Sequence, residues 1–240
     1  MRPRYGVDAP FALLGLAGAA VLLLAGGIVT GILASWLVAA WPLLMSAYFA
    51  ASSIIYLHTT RSGKFAVWRD VLDELPVRGD ERVLDMGCGR GAVLIEVARR
   101  LTSGHATGAD LWRSVDQSGN APEVTRANAE AAGVGGKVSL DTADMTALPY
   151  PDASFDLVVS SMAIHNIHPD AGRLAAVDEA LRVLAPGGRL VIADISAARS
   201  YQEHLAARGV PAVLRPLGWR MWWGTPWLPT LLLTAVRPAG

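Results

Sequence analysis

The apolar positions divide the chain into two textures. Between Asp8 and Arg61 there is no Asp, Glu, Lys or Arg. Within that stretch the 11–32 run is almost wholly apolar. At about 1.5 Å per residue, a helix over it extends about 33 Å, enough to cross the hydrocarbon core of a bilayer. A second apolar run, 33–57, carries Pro42 and several small residues, which membrane helices tolerate. The link between them is short and uncharged, so the pattern predicts a helical hairpin over residues 1–60 with both ends on one side. Arg2 and Arg4 precede it, and Arg61, Lys64 and Arg69 follow it. The positive-inside rule then places both flanks, and the rest of the chain, in the cytoplasm, with the hairpin as a multi-pass membrane segment. Trp36, Trp41, Tyr48 and Tyr56 supply aromatic groups of the kind found at membrane interfaces. A signal peptide is disfavoured by the second long run that follows at once. A buried soluble pair is disfavoured because no polar face breaks either run. A re-entrant or interfacial helix stays open as a third reading.

After Arg61 the periodicity changes. Short strand-like runs alternate with helix-like stretches, the pattern of an α/β fold with a mostly parallel, doubly wound sheet over residues 61–240. The expected order is a helix over 65–75, a strand over 82–86, a helix over 92–101, a strand over 106–110 and a helix over 122–132. Strands over 137–142 and 155–160, a helix over 170–184 and a strand over 189–194 follow. The Pro186-Gly187-Gly188 turn leads into the 189–194 strand. A helix over 200–208 and two last strands within 210–223 and 227–236 complete the reading.

Composition narrows the function classes. Charged residues make up 18% of the chain, against about 25% in an average soluble chain, and the hairpin accounts for the depletion. The formal net charge of zero argues against a nucleic-acid partner. A single cysteine, Cys88, forms no internal disulfide, which is compatible with a reducing compartment.

The sharpest chemical signal is the segment VLDMGCGRG, residues 83–91. A strand runs into Asp85, then glycine stands at 87, 89 and 91, then a helix begins. Such glycines let the backbone turn tightly and approach a ligand, and the helix that follows offers free N–H groups. A dinucleotide site wants G-x-G-x-x-G with pyrophosphate on the helix N-terminus. Here the spacing is G-x-G-x-G, and the Asp85 carboxylate would repel a pyrophosphate. That counts against a nicotinamide oxidoreductase and suits a ligand with an ammonium group and no phosphate, such as S-adenosylmethionine. Asp110 ends the second strand, about 25 residues on, where an acid can accept from both ribose hydroxyls. Asp144 follows the third strand, placed to accept from an adenine amino group. Three acids at successive strand ends would face one crevice.

With these residues in view, the 82–194 segment resembles the class I S-adenosylmethionine-dependent methyltransferase family, in its small-molecule branch that includes the quinone methyltransferases. The matching stretches are VLDMGCGRG, GADLW, DTADMTALPYPDASFDLVVSSMAIHNI and EALRVLAPGGRLVIADI. The resemblance implies a Rossmann-like sheet of seven strands, the last antiparallel, and S-adenosylmethionine as cofactor. It implies that Asp85, Gly87, Gly89 and Gly91 contact the methionine part. Asp110 would bind the ribose, Leu111 would lie against the adenine, Asp144 and Met145 would bind the adenine edge, and Ser160 would lie near the methionyl group.

Methyl transfer is an in-line displacement at an activated methyl, so proximity carries much of the rate. A base is needed only where the acceptor loses a proton. Candidates after the fourth strand are Ser161, His165, Asn166 and His168, with His165 and His168 first, since neutral histidine accepts a proton near pH 7. Loop-ordering hydrogen bonds are the plainer role for both histidines. A two-histidine metal site lacks a third ligand, so no metal is expected. Asp116, Gln117, Ser118 and Asn120, in the polar stretch after strand two, stand as cofactor contacts or lid residues. The partners expected are a small-molecule methyl acceptor and the membrane. The tether invites a lipid-like acceptor. A non-catalytic cofactor-binding membrane protein is the alternative from another class.

Overall fold

A computed structural model describes residues 3–113 and 117–239; Arg2 and Asp116 lie outside the described residues. Helix α1 spans Pro10–Leu33 and α2 spans Trp36–His58, close to the expected hairpin. Pro10 occupies the first helical turn, where its missing N–H is no loss. Ser35 caps α2 by accepting from the Leu37 N–H at 3.1 Å. The two helices approach through small residues. Gly27 lies against Leu43, Gly31 against the Trp36 ring, and Ser46 Oγ donates to Ala20 O at 2.7 Å.

The expected boundary at residue 60 falls inside a continuous helical stretch. A π-helical turn, Thr59–Gly63, carries α2 directly into α3, Lys64–Glu74. Gly63 is required there, because a Cβ would stand 2.1 Å from the Arg220 carbonyl oxygen.

The remainder is a seven-stranded sheet in the order β3-β2-β1-β4-β5-β7-β6. The strands are β1 Arg82–Met86, β2 His105–Asp110, β3 Val138–Thr142, β4 Phe155–Ser161, β5 Leu184–Asp194, β6 Ala212–Pro216 and β7 Leu231–Val236. β1 to β5 pair in parallel, and β7 runs antiparallel between β5 and β6. Helices cover both faces: α4 Ala92–Ala98 and α5 Pro122–Ala131 with α3 on one side, α6 Asp170–Val183 and α7 Ala198–Ala207 on the other.

Alternation along the strands explains the two layers. Val83, Leu157, Val159 and Val191 point into the core beneath α3 and α4. Leu84, Val158, Leu190 and Ile192 point into the core beneath α6 and α7. A strand buried on both faces needs apolar residues at consecutive positions, as at Val83-Leu84 in β1, Leu157-Val158-Val159 in β4 and Leu190-Val191-Ile192-Ala193 in β5.

Two expectations shift. β5 begins at Leu184, five residues before the expected 189, because Phe155 pairs with Leu184 and Leu157 pairs with Arg189, with the Pro-Gly-Gly segment accommodated as an irregularity. The last two strands are shorter than expected. Residues 217–230 form a loop with a 3-10 turn, Trp219–Met221, and an isolated bridge from Trp222 to Pro229.

Candidate active site

The strand order reverses between β1 and β4, and the carboxyl ends on either side of such a reversal bound a crevice. A cavity of about 1010 Å³ opens there. Its wall includes Asp85, Gly87, Gly89, Asp110, Leu111, Asp144, Met145, His165 and His168. Nine expected residues therefore meet in one space. Ser160 and Gly91 do not line it. Ser160 is 1% exposed and its Oγ donates to the Met86 carbonyl at 2.8 Å, tying β4 to β1. Alternation turns Ser161, rather than Ser160, toward the cavity, where it accepts from Trp68 Nε1 at 2.9 Å. Gly91 stands before α4 with φ of 82° and packs against Thr125 and Ile95, so it shapes the turn from behind.

Asp85 is the exceptional group. It is 1% exposed, yet neither carboxylate oxygen has a hydrogen-bond partner among the described residues. Burial pushes its pKa up to about 8; the Leu94 amide, near but outside hydrogen-bond geometry, opposes this in part, and the Asp110 charge adds to it. An orphaned buried carboxylate on a cavity wall fits a cationic ligand group, and the α-ammonium of S-adenosylmethionine meets that description. At Gly87 the chain has φ of 73°, and a Cβ would stand 2.2 Å from Ala163 Cβ, so the loop closes on β4 only with glycine.

Asp110 is held by the loop it faces. Its Oδ2 accepts from Gly89 N at 2.8 Å, and its Oδ1 from Trp112 N at 2.6 Å and Asn120 Nδ2 at 3.2 Å. Asp144 Oδ1 accepts from both Thr146 N and Thr146 Oγ1 at 2.8 Å, which holds its carboxyl below the usual range. The Cys88 thiol is buried and pushed well above its ordinary pKa, so it stands protonated.

His165 follows β4 in a 3-10 turn, Ile164–Asn166. Its Nδ1 lies 2.5 Å from Asp194 Oδ1, and its backbone N–H donates to Asp194 Oδ2 at 3.0 Å. Asp194 ends β5 and is fully buried, and it also accepts from Ile195 N and from Tyr201 OH. The Tyr201 hydroxyl is correspondingly held well above its ordinary pKa, by burial first and then by Asp194. In a neutral ring whose Nδ1–H donates to the carboxylate, the free lone pair is on Nε2. His168 also lines the cavity but has no comparable carboxylate among the described residues; its Nδ1 meets Arg173 at 3.5 Å. Sequence reasoning missed Asp194. The signal was available, since an acid at the end of β5 lies beside the end of β4 once the strands are ordered.

A second omission is the N-terminal segment. Asn128 holds Arg4 through both backbone groups, and Ser118 Oγ accepts from Val7 N at 3.1 Å. Asp8 Oδ1 accepts from Gln117 Nε2 at 2.7 Å, while Gln117 Oε1 accepts from Arg90 N, in the glycine loop, at 2.9 Å. Asp8 Oδ2 meets Lys64 Nζ and Thr60 Oγ1, each at 2.6 Å. Residues 3–8 thus belong with the 61–239 part, although they precede the hairpin.

Residues 83–188 match a family model described as a methyltransferase domain. The ubiquinone/menaquinone biosynthesis C-methyltransferase of Roseobacter denitrificans is 35% identical over 136 residues, 56% of this chain and 50% of that protein. The 27-O-demethylrifamycin SV methyltransferase of Amycolatopsis mediterranei is 39% identical over 122 residues, 50% of this chain and 40% of that protein. The chain thus spans about half the length, or less, of these curated relatives. Among solved structures, the [4+2]-cyclase SpnF superposes with a TM-score of 0.60 at 19% identity, over 73% of this chain and 82% of that one. Geranyl diphosphate C-methyltransferase from Streptomyces coelicolor, solved with S-adenosyl-L-homocysteine, superposes with a TM-score of 0.58 at 16% identity, over 72% and 77% of the two chains. At those identities the likeness shows the fold. The 83–188 segment is thus similar to the methyltransferase domains of small-molecule S-adenosylmethionine-dependent methyltransferases.

Two outcomes follow for cofactor binding. Asp85 is protonated in the free protein below about pH 8, and an ammonium partner favours its carboxylate. Uptake of S-adenosylhomocysteine therefore releases a proton and tightens as pH rises toward 8; titration calorimetry in buffers of different ionisation enthalpy reads the release. Asp85→Asn weakens binding by about tenfold or more. The same substitution stabilises the ligand-free protein at neutral pH. The raised native pKa disfavours folding progressively as pH climbs from the ordinary carboxylate value to about 8, and Asn removes that loss. Deleting residues 1–60 removes Asp8, which holds Gln117, and Val7, which holds Ser118, so the truncated protein binds the cofactor product more weakly than the full chain in detergent.

Proposed function

We propose that this protein methylates a lipid-like small molecule at the cytoplasmic face of a membrane, using S-adenosylmethionine and His165 as the general base. The observation that carries this reading is the shared cavity: the unpartnered Asp85 and the His165–Asp194 pair open into one space.

Asp85, Gly87 and Gly89 would hold the methionine part, Asp110 the ribose hydroxyls, and Leu111, Asp144 and Met145 the adenine. When bound, S-adenosylmethionine supplies a methyl group already activated by its sulfonium. Ser160 would support the β1–β4 junction and Gly91 the turn behind it. Asp194 keeps the His165 proton on Nδ1 and steadies the imidazolium that forms when Nε2 takes a proton from the acceptor. His168, which has no carboxylate bonded to it among the described residues, would contact the acceptor.

The lipid-like acceptor is supported by the far wall of the cavity. Ala12 of α1, Tyr56 of α2, Phe65 and Trp68 of α3, and Trp223 and Leu228 form it. These residues stand at the base of the hairpin, so an apolar acceptor would reach the methyl group without crossing water. The membrane reading is supported by exposure. Only 11% and 17% of the most apolar windows of the two long helices are buried. Leu22, Leu33, Leu37, Trp41 and Ile54 present more than half their surface outward. A core helix of a soluble domain would bury such side chains. Arg4, Arg61, Lys64 and Arg69 flank the base and favour the cytoplasmic side for it.

The test uses the full chain in lipid nanodiscs with methyl-labelled S-adenosylmethionine and a bacterial lipid extract. Label enters the organic phase while S-adenosylhomocysteine accumulates in the aqueous phase. His165→Ala lowers the rate about 10²–10⁴-fold with little change in cofactor-product affinity, and Asp194→Asn lowers it in the same direction. Cofactor binding with no methylated product in either phase would sink the enzyme reading and leave a cofactor-binding membrane protein.

A further inference from the structure

The loop between β6 and β7 runs down the outside of the hairpin. His58 stacks on Trp219 with ring centroids 5.0 Å apart. Thr59 Oγ1 donates to the Trp222 carbonyl at 2.6 Å, and Tyr56 meets the Trp223 ring edge-on at 5.4 Å. Gly224 packs beside Ser52 of α2 and Leu16 of α1. Tyr48 OH donates to Thr225 Oγ1 at 3.3 Å. The contacts retreat from residues 58 and 59, at the end of α2, to residue 48 as the loop advances from 219 to 225. At about 1.5 Å per residue this descent covers about 16 Å.

Charge patterning follows the same path. Arg220 and Arg237 bracket the segment, and residues 221–236 contain no Asp, Glu, Lys or Arg. At the turn of the loop, Trp227 is 83% exposed and Leu228 is 38% exposed. The Thr225 hydroxyl accepts from Trp227 N at 3.3 Å, Trp223 Nε1 donates to Thr230 Oγ1 at 3.1 Å, and Thr230 Oγ1 donates to Met221 O at 2.7 Å. The loop therefore presents its apolar side chains outward on a backbone whose turn is internally bonded.

We infer that residues 222–229 form a third membrane-embedded element, a re-entrant loop that inserts Trp227 and Leu228 among the lipid acyl chains just below the headgroups. This rests on the reading of α1 and α2 as a membrane hairpin. The charge-free hairpin begins at Ala9 and ends at Thr60. A loop reaching about 16 Å along it passes the headgroup layer and enters the outer acyl region. Irregular backbone at that depth is tolerated where it packs on protein, as this loop packs on α2, and tryptophan is favoured at that level. Because Trp223 and Leu228 also line the cavity, the loop forms its membrane-side rim.

The experiment places one thiol at a time in the full chain, as Trp227→Cys, Leu22→Cys or Glu130→Cys, and labels each with bimane. Cys88 is buried and stays unlabelled. The proteins are reconstituted into phosphatidylethanolamine–phosphatidylglycerol vesicles. Nitroxide-bearing lipids and aqueous iodide are the quenchers. The inference expects the label at 227 to be quenched by a nitroxide near the headgroup end of the acyl chain and shielded from iodide. The label at 22 should respond to a deep nitroxide, and the label at 130, on exposed α5, to iodide alone. Iodide quenching at 227 equal to that at 130, with 22 still lipid-quenched, would overturn the loop insertion and leave the hairpin standing. Iodide quenching at 22 as well would overturn the membrane reading and this inference with it.

Discussion

A carboxylate buried without a donor is costly to keep, and Asp85 is kept so at the centre of the sheet. Its position follows from β1 lying between β2 and β4, with every carboxyl end on the same edge. Parallel register then brings Asp110 and His165 to the same rim, and β5 brings Asp194. The free protein meets the cost by taking up a proton, which is why burial moves this group so far. A cationic ligand group relieves the same cost directly. The glycine loop, the close approach of Ala163 and the acids on β2 and after β3 are arranged around that need.

The second constraint is mechanical. Because a π turn joins α2 to α3 without a linker, one continuous helical stretch runs from the hairpin to the face of the sheet. The chain before α1 returns to the glycine loop through Asp8 and Gln117, and the β6–β7 loop returns to α2. The hairpin is thus fastened to the α/β fold at three places, and two of those fastenings also line the cavity. Such an arrangement orients the site toward the hairpin's base. A flexible tether would only keep it nearby.

Much of the architecture was legible along the chain, and for particular reasons. The hairpin is charge-free and long. The central strands are apolar at consecutive positions because helices cover both faces. Asp85, Gly87, Gly89, Asp110, Leu111, Asp144 and Met145 lie in short local motifs, and all line the cavity. Ser160 shows the limit of that local reading. Adjacent serines occupy opposite faces of a strand, and only the register of β4 against β1 decides that Ser161 looks outward.

What the sequence alone determined is whatever depends on near neighbours: helix against strand, the tight glycine turn, the uncharged span and the acids that end strands. Tertiary structure alone decided what depends on distant segments meeting. Asp194 reaches His165 across 29 residues, Asp8 reaches Gln117 across 109, and Thr225 reaches Tyr48 across 177. No periodicity records such pairs. Each is fixed by strand order and by the continuous α2–α3 helix, which are properties of the packed molecule and not of any stretch of the chain.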